Sequence, residues 1–326
     1  MKRFKDILCV ATPGEARKSV LDRAVRLADN NQAGLAVVDV IPRITAGIGL
    51  PEGGPISVDL QEAMARDHEQ KLETLVEPYR KEIKIQTKVL AGTSFLEIIR
   101  EVLRSGHDLV IKAPLKTAWL DRLIGSDDMH LLRKCPCPVW LIKPGAPTSY
   151  RRVLAAVDVG DAYPEGEIGT NLALNNQILE MATSLALSDF AELHVAHIWE
   201  ALGEYALRGG VVNMPEEKIN AYIEQVEHQR QYHLDHLVQS VGEKMGPDAL
   251  AYLTPQTHLI KGRASKEIPA LAKELAADLI VMGTVARTGI SGFFIGNTAE
   301  TILGQIDCSV LAIKPPGFRT PVTVDK

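Results

Sequence analysis

The sequence predicts an α/β protein of two tandem, doubly wound domains, each a five-stranded parallel sheet wrapped by helices. Three observations carry that expectation. The chain repeats itself: Asp108-Leu-Val-Ile recurs as Asp278-Leu-Ile-Val, and Cys137-Pro-Val-Trp-Leu-Ile-Lys143 as Cys308-Ser-Val-Leu-Ala-Ile-Lys314. Within each copy, short apolar runs alternate with amphipathic stretches, as strand–helix–strand units on a parallel sheet do. And 326 residues, at about 150 per domain, make two domains.

In the first copy Ile7–Ala11 reads as a strand, followed by a helix with Val20, Ala24, Leu27 and Ala28 on one face. Gly34 is expected to end that helix ahead of a second strand, Leu35–Val40. Ile83, Ile85, Thr87 and Val89 alternate with Lys84, Gln86 and Lys88, the period of a strand with one polar face. Phe95, Ile98, Ile99 and Val102 mark a helix, Leu109–Ala113 a buried strand, and Val139–Ile142 the last strand. The second copy repeats the order, with strands near 153–158, 192–199, 257–261, 278–283 and 310–314. Its opening is offset less than its end, so about 24 extra residues are assigned to 159–171 and 200–218. The expected domains are 1–144 and 151–316, joined through Pro144-Gly145-Ala146-Pro147-Thr148-Ser149, with a tail at 317–326.

Composition narrows the function classes. Net charge is −5 and aromatic residues are 5%, which argues against a phosphate-neutralising, base-stacking nucleic-acid binder. No apolar stretch approaches the ~18 residues of a membrane span, so no membrane insertion is expected. The apolar run after Lys2, Arg3 and Lys5 is too short for a secretion signal, and four cysteines are no disulfide framework. A reduced, cytoplasmic protein is expected.

The most informative segment follows the fourth strand of the second copy, Met282-Gly283-Thr284-Val285-Ala286-Arg287-Thr288-Gly289-Ile290-Ser291-Gly292-Phe293-Phe294-Ile295-Gly296-Asn297-Thr298. A glycine-rich loop that leaves a buried strand and enters a helix can converge backbone N–H groups on phosphate oxygens. Asn297 is expected to cap the helix, with Glu300 completing a capping box and Arg287 adding positive charge. The Gly-Lys-Ser/Thr ending of a P-loop is missing. On such sheets, ligands sit where the strand order reverses.

The spacing of Gly283, position 286 and Gly296, the duplicated domain, and the Cys135-Pro-Cys-Pro-Val139 entry to the fifth strand resemble the universal stress protein family in its tandem, two-domain (E) type, over 5–143 and 151–315. The family pattern has glycine where Ala286 stands and Ser/Thr where Asn297 stands. The resemblance implies an adenine-nucleotide alpha-hydrolase-like fold. It also implies that the C-terminal domain binds ATP, ADP or AMP as a sensor or regulatory module. Residue by residue, it places Asp158 at the end of strand one, the Ile198 backbone against adenine, and Met282, Gly283, Arg287, Gly296, Asn297 and Thr298 at ribose and phosphates. Asp158 could help to hold Mg²⁺ or orient the adenosine. The fifth strands are expected to meet as in the family's dimer, making one chain a pseudo-dimer, with a homodimer of chains as a further option. No catalytic constellation stands out; a weak ATPase or autophosphorylating enzyme and a nucleotide-free, partner-binding protein are the alternatives.

The first copy departs at the same places. Thr12 replaces Asp158, and Ala113-Pro114-Leu115-Lys116-Thr117 replaces the loop's start. Asp127 and Asp128 follow Gly125-Ser126, two negative charges where phosphate would lie. This copy is expected not to bind nucleotide. Elsewhere the C-x-C of Cys135 and Cys137 reads as buried strand-entry cysteines rather than a metal site, which needs more ligands. His228, His233 and His236 read as solvated or edge residues of one helix, whose buried stripe is Ile219, Ile223, Val226, Leu234, Leu237 and Val241. His194 and His197, three apart on a strand, face opposite sides.

Overall fold

A computed structural model describes residues 4–14, 16–44, 55–114, 126–160, 165–209, 214–246, 251–284 and 295–324. Contacts divide the chain into two bodies. One runs to Thr148 and takes in the C-terminal stretch from Asp307; the other holds 149–284 and 296–306.

In the first body the elements run β1 (Asp6–Val10), α1 (Ala16–Asn31), β2 (Gly34–Ile41), α2 (Pro55–Val76), β3 (Ile85–Ala91), α3 (Ser94–Ser105), β4 (Leu109–Lys112), α4 (Asp127–Lys134) and β5 (Val139–Leu141). The strand order is β3-β2-β1-β4-β5, each pair parallel. The strands read as unbroken apolar runs because helices cover both faces: Ile7, Leu8, Val37, Val38, Val110 and Ile111 are fully buried. β10 (Ser309–Ile313), the last strand of the second repeat, pairs antiparallel with β5 in this body, Leu311 opposite Trp140.

The second body carries β6 (Arg152–Ala156), α5 (Glu165–Asp189), β7 (Glu192–Trp199), α6 (Glu204–Arg208), α7 (Glu216–Met245), β8 (Gln256–Lys261), α8 (Ala264–Glu274), β9 (Leu279–Gly283) and α9 (Asn297–Leu303). Its parallel order is β9-β6-β7-β8. The extra residues lengthen helices: α5 has 25 residues against 16 in α1, and α6 and a 30-residue α7 follow β7. The apolar stripe expected on α7 buries Ile219, Leu234, Leu237 and Val241, while Ile223 and Val226 are only half-buried.

Gly34 does not end α1. Gln32 takes the left-handed turn (φ 52°), Ala33 N–H returns to Ala28 O, and Gly34 already opens β2. Phe190 does the same after α5 (φ 55°), with Ala191 N–H to Ala186 O. The glycines that mark the repeat do need their freedom. Gly92 and Gly262 sit at φ 153° and 151°, and a Cβ there would strike Glu97 or Glu267 at 2.9 or 2.8 Å.

Candidate functional site

The strand order reverses between β6 and β9, so the crevice beyond their carboxyl ends is where such a sheet takes a ligand. Ala156 pairs with Met282 at the rim, bringing Val157-Asp158 beside Met282-Gly283.

Asp158 sits in the turn leaving β6, its side chain 59% exposed. Its Oδ1 accepts from Gly160 N–H at 3.0 Å, an Asx turn that directs the carboxylate outward. The backbone of Asp158 is held from α5. Asn175 accepts its N–H at 3.0 Å and donates to its carbonyl at 2.6 Å, and Asn171 donates to the same carbonyl at 2.9 Å. Neither asparagine stands out in the sequence; the signal was two amides one helical turn apart on the helix that follows β6.

His197 is buried on β7, with Nδ1 3.3 Å from Val157 O and 3.9 Å from the Asp158 carboxylate. Burial holds its pKa below the ordinary histidine value, with Asp158 and the Val157 carbonyl pulling the other way. The ring is neutral, and Nδ1 carries the proton toward Val157 O. Its Nε2 is buried with no hydrogen-bond partner among the described residues. His194 faces the other side of the sheet, as expected, where its Nδ1 meets His258 Nε2 at 3.1 Å.

The β6–β7 register ends at Ala156 opposite Ala196, with Val157 N–H closing on Ala196 O. Alternation along the strand then turns both backbone groups of Ile198 to the β6 side, one step past the last pair. An N–H and a C=O there form an edge that an aminopurine can match.

Across the crevice Met282 is buried and Gly283 half-buried. A Cβ on Gly283 would lie 2.9 Å from Leu174 Cδ2, so its bareness lets α5 approach β9. Gly296 N–H donates to Thr284 O at 2.9 Å and ties the two ends of the glycine-rich loop together, which occupies that donor within the protein. Asn297 is not the cap. α9 begins on it, with Gly296 in the cap position, and both Asn297 and Thr298 present exposed side chains. Arg287 and Ala286 lie outside the described residues.

The first repeat fills the same crevice with its own side chains. Thr12 Oγ1 donates to Ala113 O at 3.0 Å. Lys112 reaches Ala113 O and, at 2.5 Å, Asp128 Oδ1, both side chains almost wholly buried. Asp128 therefore turns inward rather than placing charge at a phosphate position; only Asp127 keeps to the outer side. Ser126 caps α4 by accepting Met129 N–H. Lys112 and Asp128 match Met282 and Ala299 in the second repeat, where both positions are buried.

Cys135 is buried and Cys137 half-exposed, their sulfurs 3.6 Å apart, and among the described residues no group of three or more His, Cys, Asp or Glu side chains could hold a metal. His228 and His236 are exposed, while His233 folds back to Val159 O at 3.3 Å, over the Asp158 turn. No described helix is long and apolar enough to cross a membrane.

Comparison with known proteins gives one answer along the whole chain. The model of the universal stress protein family matches residues 3–143 and 149–314. Universal stress protein E of Escherichia coli K12 is 31% identical over 336 aligned positions, covering 100% of this chain and 98% of that protein. The E homolog of Haemophilus influenzae is 29% identical over 325, with 96% and 98% covered. Among solved structures, a candidate universal stress protein from Pseudomonas aeruginosa UCBPP-PA14 superposes with a TM-score of 0.62 at 28% identity, covering 96% of this chain and 94% of that one. A universal stress protein from Archaeoglobus fulgidus shares the fold, at a TM-score of 0.61 and 19% identity, over 95% and 98%.

Proposed function

The chain belongs to the universal stress protein family, in the tandem arrangement of its E-type relatives, and from that premise we propose that it binds one adenine nucleotide, ATP, ADP or AMP, in the second repeat. The observation that carries the reading is the contrast between two equivalent crevices. In the second repeat an exposed carboxylate, a turned-out backbone edge at Ile198 and the exposed Asn297 and Thr298 border the reversal point. In the first, Thr12, Lys112 and Asp128 bond to the protein itself.

The residues fit such a ligand. A carboxylate accepts from ribose hydroxyls, the Ile198 N–H and C=O suit the acceptor–donor edge of adenine, and amide and hydroxyl side chains suit phosphate oxygens. Met282, Gly283 and Gly296 shape the crevice, and Arg287 supplies charge to the phosphates, with Mg²⁺ as an accompanying ion. The role is that of a cytoplasmic sensor or regulatory module. The β5–β10 pairing supports the family's strand-five contact within one chain.

Calorimetric titration of nucleotide-stripped protein with ATP-Mg²⁺ tests the reading. One site per chain, lost in Gly296→Asp, is expected. Steady phosphate release during the same titration would move the protein to the ATPase class, and no heat would set the nucleotide reading aside.

A further inference from the structure

We propose that Asn175 is the positioning residue of this site, its side-chain amide setting the Asp158 carboxylate in the crevice, and that the trio 158, 175 and 197 separates the ligand-taking repeat from the closed one. The inference rests on the nucleotide reading above and adds to it a residue and a rule.

Asn175 is 3% exposed, and a buried amide is retained where both its ends are bonded. Here both ends go to one residue. Oδ1 takes the Asp158 N–H and Nδ2 reaches the Asp158 carbonyl, so the side chain serves as the strand partner that β6 lacks beyond Ala156. Asn171 adds a second donor to that carbonyl. With its backbone fixed at both groups, Asp158 has only its side-chain rotation left, and the Asx turn to Gly160 restricts that.

The first repeat shows what happens with other residues at these places. The strand registers (Asp6 opposite Gly34, Arg152 opposite Glu192) and the two helix ends align Thr12, Arg17 and Asp39 with Asp158, Asn175 and His197. There the acid stands on the strand. Asp39, buried, pairs with Arg17 at 3.5 Å and with His68 at 2.8 Å, while Thr12 is turned to Ala113 O. In the second repeat the acid has moved to the turn, a neutral histidine fills the strand position, and a neutral amide replaces the guanidinium. A cation at 175 would draw Asp158 into an ion pair and close the crevice. The amide holds the Asp158 backbone and brings no charge of its own to the carboxylate.

The test measures ATP-Mg²⁺ affinity of the full chain in a double-mutant cycle of Asn175→Ala with Asp158→Asn. Each single variant is expected to weaken binding about tenfold, the scale of one charge-assisted contact. Asn175→Ala is expected to have no further effect once Asp158 is asparagine, a coupling that a general loss of packing would not produce. Asn175→Arg is expected to abolish binding. If Asp158→Asn weakens binding but Asn175→Ala does not, or the two effects simply add, the positioning role is wrong and the nucleotide site stands. If wild type binds no ATP, or Asp158→Asn binds as wild type does, the site reading falls and the inference with it. Should Asn175→Ala fail to fold, Asn171→Ala, which removes one of the two donors to the same carbonyl, is expected to weaken binding about threefold; unchanged affinity there overturns the proposal.

Discussion

Replacing Asp128 with alanine removes half of a buried ion pair and leaves the other half behind. Lys112 and Asp128 are 2% and 6% exposed in their side chains and 2.5 Å apart. In the variant the ammonium keeps only Ala113 O, at 3.2 Å, and no counter-charge. Stranding a buried charge in this way costs about 3–5 kcal/mol. For a body of this size, at about 2–4 °C per kcal/mol, the thermal midpoint falls by roughly 6–20 °C. The second repeat supplies the control. It holds Met282 and Ala299, both buried, at the matching positions, so Lys112→Met with Asp128→Ala puts there the two apolar residues that the second repeat buries. That double variant is expected within about 1 kcal/mol of wild type, because desolvation of a buried pair offsets most of its attraction. Urea and thermal unfolding of wild type, the single and the double variant decide the matter. If Asp128→Ala costs less than about 1 kcal/mol, or the double variant is no better than the single, the pair does not close the first crevice in the way described.

Two further expectations follow from burial and packing. His194, His197 and His258 have pKa values held below 6.5, burial being the largest cause in each, so they are neutral in the fold and charge on unfolding. The unfolded chain then binds more protons below that pH. Stability is therefore full above about pH 7 and falls as the pH drops through 6.5, the slope in urea midpoints being reduced in His258→Gln; a flat profile from pH 7 to 5 would contradict this. Gly283→Val forces Leu174 and Ile178 away from β9 and is expected to cost about 1–3 kcal/mol, against under 1 kcal/mol for Gly283→Ala, since Leu174 meets the new Cβ only with its flexible tip. Equal stability of the valine variant, by urea unfolding, would mean that α5 does not press on β9 there.

Much of the fold was legible because it is written in local pattern. The apolar runs at 7–11, 109–111 and 279–282 have no polar face, which a doubly covered sheet explains, and the repeat fixed their order. The positions misread are those where a residue's role depends on a distant partner. Gly34 looked like a helix end, but Gln32 and Phe190 take left-handed turns without glycine, held by the backbone bonds around them. Asn297 looked like a cap because it precedes Glu300 at the right spacing, yet the helix starts one residue earlier. Asp128 looked like a solvated charge, since nothing in sequence links it to Lys112 sixteen residues away. Asn175 drew no notice by itself because a helical asparagine reads as a weak helix former. Its use appears only when α5 lies beside the end of β6.

On the reading proposed above, one crevice of two takes the nucleotide. Photolabelling with 8-azido-ATP, followed by peptide mapping and a count of label per chain, tests it directly. One label per chain is expected, on peptides of the second repeat that contain Ile198 or the 282–298 loop, displaced by ATP and lost in Asp158→Ala. Label on first-repeat peptides around Thr12 or Asp128, two labels per chain, or labelling that ATP does not displace would contradict it.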